Sequence, residues 1–513
     1  MRNLKRTISF LLAMTLLCAL PQIAHAQDEG LTASNVSDYP TISLGGGFHP
    51  LFFDENTPEQ TSAFDPGIAG DVFGAVADDA LAAVKALKFD LAIDLLVETC
   101  RRWFGPIGMD NNGDSIAKNI SCVHNNYQAW DLTGNQAIYF EFDWRLDPVE
   151  NAQRLNEYIE DYLVPLRGVE KYNLWATSGS SSILLAYLKL FDPELEHVAS
   201  IVLYVPMLNG NTMFGELVKR KLVLDPEALA KTDWDSLFGD SLGDFALNPL
   251  LGVLYETGLL GVIERLAKLA AKSVVDRVYA EVLPLVLTMP SFWSYVPYKD
   301  YEAGIRAMFC GKPEYGGLVA KLNNYHYNVM QYADEVILHA SQHVKVAVFA
   351  GYGLPLYPLG AGTAVQSDTI VDTAYASLGA TCAPLGTPFP SCYAQKKYAD
   401  TGKNYISPDR LIDASTCLLP DSTWFVLNRP HVSLQLSESW YEWFKSATVK
   451  PTVFANENYP QYFERISVGE DLFDIPLVME LQPIPRWLEV LKIAGLWLLK
   501  IWRWLLLLPM FWV

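Results

Sequence analysis

The chain has 513 residues, 50% hydrophobic and 19% charged, with a formal net charge of −20. Such an acidic chain is a poor match for nucleic acid, and it is no polybasic binder of anionic lipid. The composition is otherwise globular, and no linker, repeat or low-complexity stretch divides it, so it reads as one large domain with insertions.

Arg2, Lys5 and Arg6 precede the apolar run Ile8–Leu20, and Ala24-His25-Ala26 follows it. This pattern predicts a signal peptide over 1–26 and an exported mature protein. Its removal would take the net charge from −20 to −23. Export permits disulfides. Local spacing favours Cys100–Cys122 and Cys382–Cys392, leaving Cys310 with Cys417. The absence of CxxC gives a zinc or redox site little support.

Thr41–Leu44 reads as a short strand, followed by the loop Gly45-Gly46-Gly47-Phe48-His49-Pro50, where glycines let backbone N–H groups approach a ligand. Residues 66–104 read as mainly helical. Asp110-Asn111-Asn112-Gly113-Asp114 has the look of a calcium loop, but Ser115 and Ser121 stand where glycine and glutamate are needed, so a surface turn is expected. Ala137–Phe142 predicts a strand running into Asp143-Trp144-Arg145-Leu146-Asp147-Pro148. Pro148 then opens a helix to about Leu163, with Glu150, Arg154, Tyr158 and Asp161 on its polar side.

In Tyr172–Leu190 an apolar strand turns into an aliphatic helix through Ala176-Thr177-Ser178-Gly179-Ser180. Small residues two before and two after a turn residue are what a nucleophile elbow needs to push a serine out at a helix N-terminus. A plain serine-rich turn has the same composition. Ala199–Val205 supplies the next strand. Repeated strand–helix–strand units imply a parallel sheet with helices on both faces.

YFEFDWRLDPVENAQRLNEYIE, YNLWATSGSSSILLAYL and IVLYVPMLNGN together resemble the lecithin:cholesterol acyltransferase family of α/β-hydrolases, with DWRLDP the most specific part. The family's GHSxGG stands here as ATSGSS. The resemblance covers about 40–50 and 136–215 and resumes near 344–440, and it puts Ser178 at the apex of the elbow. It implies that the glycine loop supplies part of an oxyanion hole. It also implies that the segment 207–342 is a helical cap between two core strands. Within that segment, Leu259–Leu287 carries Glu264, Lys268, Lys272 and Asp276 on one helix face, and Met289–Tyr295 forms an aromatic loop.

Val344–Ala350 returns to the sheet and ends in GYGLP. The family's catalytic aspartate is best matched by Asp368, followed by Thr369, with Asp372 as runner-up. After the strand Thr423–Leu427, His431 stands where the family's base belongs. The order Ser178, Asp368, His431 is that of α/β-hydrolases. Residues 448–480 read as irregular and acidic. Arg486–Val513, with five tryptophans and basic residues gathered on one side, predicts an amphipathic helix lying in a membrane interface, with a spanning anchor ranked second.

The resulting expectation is an α/β-hydrolase with a mostly parallel sheet, helices on both faces and a large helical cap. Ser178, Asp368 and His431 would transfer acyl groups of a lipid ester at a membrane surface, with water or a lipid alcohol as acceptor. Backbone N–H groups of Gly179 and of the 46–48 loop, through Gly47 and Phe48, would hold the oxyanion, and no metal or organic cofactor is needed. The competing expectation is a catalytically inactive lipid-binding or cell-envelope protein on the same fold.

Overall fold

The computed structural model describes residues 39–46, 50–53, 61–65, 89–122, 137–223, 225–232, 255, 275–431, 437–468 and 471–477. The segments read as signal peptide (1–26) and membrane-directed helix (486–513) lie outside the described residues, as do Gly47 and Phe48. Among the described residues no helix is long and apolar enough to cross a membrane.

The strands are β1 (Thr41–Leu44), β2 (Leu51–Phe53), β3 (Thr61–Phe64), β4 (Ile120–Cys122), β5 (Ala137–Phe140), β6 (Tyr172–Thr177), β7 (Val198–Tyr204), β8 (Lys345–Tyr352), β9 (Thr381–Cys382), β10 (Ile412–Asp413), β11 (Thr423–Leu427), β12 (Tyr462–Val468) and β13 (Asp471–Pro476). Eight of them form the main sheet in the order β13-β12-β11-β8-β7-β6-β1-β5. Seven run parallel and only β13 is antiparallel, on β12. The fold is therefore α/β, as the sequence predicts.

Strands buried on both faces read as continuous apolar runs. In β6, Leu174 and Ala176 face one core cluster, which includes Leu155 and Leu184 of the helices Pro148–Tyr158 and Ser181–Leu190. Trp175 faces the other way, into a cluster with Phe349, Trp424, Trp440 and Phe444. The helix Glu438–Ser446 covers this second face. The chain leaves β1 for β5 on one side and returns to β6 on the other, so the strand order reverses at β1. Ligands of open α/β sheets bind at the carboxyl ends of strands beside such a reversal. Leu44 of β1 pairs with Ala176 of β6, which brings the glycine loop and the Ser178 turn together there.

The DWRLDP segment acts through buried polar contacts. Arg145 is fully buried, with Nε and Nη2 on the two oxygens of Asp143 at 2.9 and 2.6 Å and Nη1 on the Ile107 carbonyl at 2.9 Å. Two hydrogen-bonded N–H groups aimed at one carboxylate offset the desolvation of both charges. Asp147 caps the next helix by accepting from the Val149 N–H at 2.9 Å, and Pro148 occupies the first turn, where its missing donor costs nothing.

Several expectations need correction. The helix from Pro148 does not stop near Leu163. It passes through a π-helical turn, Ile159–Leu163, and ends at Arg167, where Gly168 at φ 66° takes the left-handed cap. Tyr158 is not on its polar side but buried, because it continues the stripe Asn151, Leu155, Tyr158 at i, i+4, i+7. The region 448–480 holds β12 and β13, which extend the sheet edge. Its acidic content hid their alternation. None of the three expected disulfides is formed, because Cys100, Cys310, Cys382, Cys392 and Cys417 are free thiols. Sequence spacing does not fix the distance between sulfurs, and Cys100 and Cys417 are buried in the core.

Of the segment 207–342, the described part is mainly helical. Its last helix, Ala333–His343, packs on β8 and on the helix Ser181–Leu190 and so belongs to the layer covering the sheet. The aromatic loop is a helical turn, Pro290–Trp293, whose Ser291 N–H donates to the Arg145 carbonyl at 3.5 Å. Asp110 forms the expected surface turn by accepting from the N–H groups of Asn112 and Asp114.

Candidate active site

Ser178 follows the last residue of β6 directly. Its φ is 53°, a conformation costly for a residue with a β-carbon. The surrounding small residues relieve the crowding. A β-carbon on Gly46 would lie 2.6 Å from Thr177 Cγ2, so only glycine lets the loop after β1 approach the turn.

The serines after Ser178 have structural work. Ser180 Oγ accepts from the Thr177 N–H at 3.0 Å and reaches the Leu44 carbonyl at 2.8 Å, tying β1 to the turn. Ser181 Oγ donates to the Ser178 carbonyl at 2.6 Å and accepts from the Met207 N–H at 2.9 Å. Ser182 Oγ donates to the Gly179 carbonyl at 2.7 Å. The departure from the glycine form of the elbow thus adds hydrogen bonds where glycine would give only space.

Ser178 Oγ lies 2.8 Å from His431 Nε2, and His431 Nδ1 lies 2.7 Å from Asp368 Oδ2. The three residues predicted from the sequence therefore meet in one hydrogen-bonded line, all buried. His431 is clamped at two points, since its backbone N–H also donates to the Asp368 carbonyl at 2.7 Å. Asp368 Oδ1 accepts from the N–H groups of Ile370 at 3.0 Å and Val371 at 2.7 Å, which leaves Oδ2 for the imidazole. This arrangement favours the tautomer with a proton on Nδ1 and a lone pair on Nε2 facing the serine. Thr369, between them, is held at φ 84°, a strained value for a β-branched residue.

No family model, characterised protein or solved structure matches this chain.

Asp372, the runner-up, does not approach His431. It accepts from the N–H and hydroxyl of Thr212 at 2.9 and 2.6 Å, fastening the loop that carries Asp368 to the helix Thr212–Val218. Burial pushes its carboxyl above the usual carboxylate range, and Thr212 pulls it back. Asn211 makes the second fastening, which the sequence analysis missed. Its side chain accepts from the Phe214 N–H at 3.1 Å and donates to the Ile370 carbonyl, and its own N–H donates to the Tyr295 carbonyl at 2.9 Å. The only local signal was an asparagine before a short helix, which reads as an ordinary cap.

A small pocket opens on Ser178 and His431. Gly46 and Gly179 line it from the sheet, and Met207, Phe214, Tyr295 and Ile370 close it with mostly apolar surface. Met207 Sδ lies 3.7 Å from Ser178 Oγ. Among the described residues no cluster of histidine, cysteine, aspartate or glutamate is arranged to hold a metal ion. Chemically, the arrangement can take a proton from a serine hydroxyl beside an apolar space.

Proposed function

We propose that this protein is a serine acyl-transfer enzyme of the α/β-hydrolase type that acts on lipid esters, akin to the lecithin:cholesterol acyltransferase family. One observation carries the reading: Ser178 in a strained turn at a strand's carboxyl end, hydrogen-bonded to His431, which is in turn hydrogen-bonded to Asp368. In that mechanism Ser178 Oγ attacks the ester carbonyl while His431 Nε2 takes its proton. Asp368 holds the ring and stabilises the imidazolium, and His431 returns the proton to the departing alcohol. Water or a lipid alcohol then releases the acyl group by the same steps in reverse. Backbone N–H groups of Gly179 and of the loop 46–48 receive the oxyanion.

The lipid class of the substrate rests on the apolar pocket, on the cap and on the sequence of 486–513. Export rests on the sequence of 1–26 alone, since the free cysteines lend it nothing. The test is acyl release from phospholipid or acylglycerol vesicles by the purified protein, with and without a lipid alcohol. Release that is faster on vesicles than on dissolved short esters supports the reading, and new ester on the alcohol identifies the transferase. A folded protein that releases no acyl group from any ester would overturn it.

A further inference from the structure

Tyr295 comes from the cap side, yet its phenol reaches the residue next to the nucleophile. A β-carbon built on Gly179 would lie 2.3 Å from the Tyr295 hydroxyl oxygen and 2.8 Å from two of its ring carbons. The hydroxyl is thus packed on the Gly179 backbone inside the pocket that holds Ser178 and His431. It makes no hydrogen bond among the described residues. Burial alone pushes its ionisation well above the usual phenol range, so it remains a neutral O–H donor. Tyr295 is half-buried and lines that pocket, so its hydroxyl has no protein acceptor there but remains open to one that a ligand brings.

The ring is held firmly. Its edge meets Phe214 at 5.4 Å and 65° and Phe292 at 6.1 Å and 69°, and its carbonyl accepts from the Asn211 N–H at 2.9 Å. Gly210 at φ 78° permits this approach, since a β-carbon there would lie 2.8 Å from the Tyr295 carbonyl oxygen. A phenol fixed this way is already positioned before any substrate arrives, which is what a stabilising donor requires.

We infer that Tyr295 is a catalytic residue of the acyl-transfer reaction, its hydroxyl donating a hydrogen bond to the oxyanion beside the Gly179 N–H. The inference rests on the proposed function and adds a donor supplied from the cap. No proton is transferred. The O–H bond stays intact while the carbonyl π electrons move onto oxygen, and the bond shortens as that charge grows. The missing acceptor is the substrate's own carbonyl oxygen.

The experiment compares the full-length wild type with Tyr295→Phe, which removes one oxygen and keeps the ring contacts. An ester and its thionoester, whose sulfur is a poor acceptor, are the paired substrates, and thermal unfolding checks the fold. The variant is expected to lose about 10²-fold in kcat on the ester with little change in KM. The wild type should prefer the ester over the thionoester much more strongly than the variant does. A merely structural role would slow both substrates equally and would overturn the inference, as would an unchanged kcat. Fluorotyrosine at position 295, a stronger donor of nearly the same shape, should hold kcat at or above the wild-type value, and a clear fall would overturn it as well. If the wild type itself cleaves no ester, the proposed function fails too. An active wild type beside an indifferent Tyr295→Phe removes this inference alone.

Discussion

At the rim of the sheet the three hydrogen-bonded residues sit close to strand ends: Ser178 directly after β6, His431 shortly after β11, and Asp368 in the excursion between β8 and β11. The opposite wall of the same pocket is built otherwise. Met207 and Phe214 are near neighbours in sequence, Tyr295 comes from far along the chain, and the wall is tied together by Asn211, by the Asp372–Thr212 contacts and by the Ser291–Arg145 bond. The rim is held by the register of parallel strands, while the wall depends on a few side-chain and backbone hydrogen bonds between loops. Chemistry should therefore be robust at the rim and adjustable at the wall.

The largest effects are expected at the rim. Ser178→Ala and His431→Ala should each lower kcat by about 10⁶-fold, and combining them should lose little more, because the groups act as a unit. Asp368→Asn should cost about 10⁴-fold, since the amide cannot hold the Nδ1–H tautomer. Steady-state acyl release checks all of these. Additive losses would mean that the residues do not form one relay.

A smaller effect is expected at the wall. Asn211→Ala removes a helix cap and leaves the buried Ile370 carbonyl without its donor. It should cost about 2 kcal/mol in chemical denaturation and slow acyl release, while Ser178 remains reactive. Loss of Ser178 reactivity in a folded Asn211→Ala protein would show that rim and wall are not separable.

The smallest effect concerns the segment beneath the wall. Burial raises the Asp147 carboxyl to about 7 from an ordinary value of 3.8, although the Val149 N–H pulls it the other way. Between those values the folded chain keeps a proton that the unfolded chain has released. Stability from this group is therefore fully present below the unfolded value and lost as pH rises through about 7. Asp147→Asn keeps a capping oxygen and removes the titration, so it should raise the melting temperature more at pH 8 than at pH 5. An equal shift at both would contradict the assignment.

The same division explains what could be read from the sequence. The parallel strands, the turn at Ser178 and the meeting of Ser178, Asp368 and His431 were legible because apolar runs mark strands and these residues follow strands in chain order. Asp368 was separated from Asp372 by resemblance alone, and the structure gives the physical reason: one carboxylate meets His431 and the other meets Thr212. The contact of Tyr295 with Gly179 was not legible, since an aromatic loop does not announce which glycine it will touch. The edge strands β12 and β13 were hidden by acidic residues, and the disulfide expectation failed because spacing along the chain is not distance in space.

In the proposed mechanism Ser178 is an activated nucleophile. Treating the native full-length protein with a fluorophosphonate and mapping the adduct by peptide mass spectrometry tests it most directly. A single stoichiometric adduct on Ser178 is expected, absent in Ser178→Ala and strongly slowed in His431→Ala. An adduct on Ser180, Ser181 or Ser182, or a folded wild type that takes up no label, would contradict it.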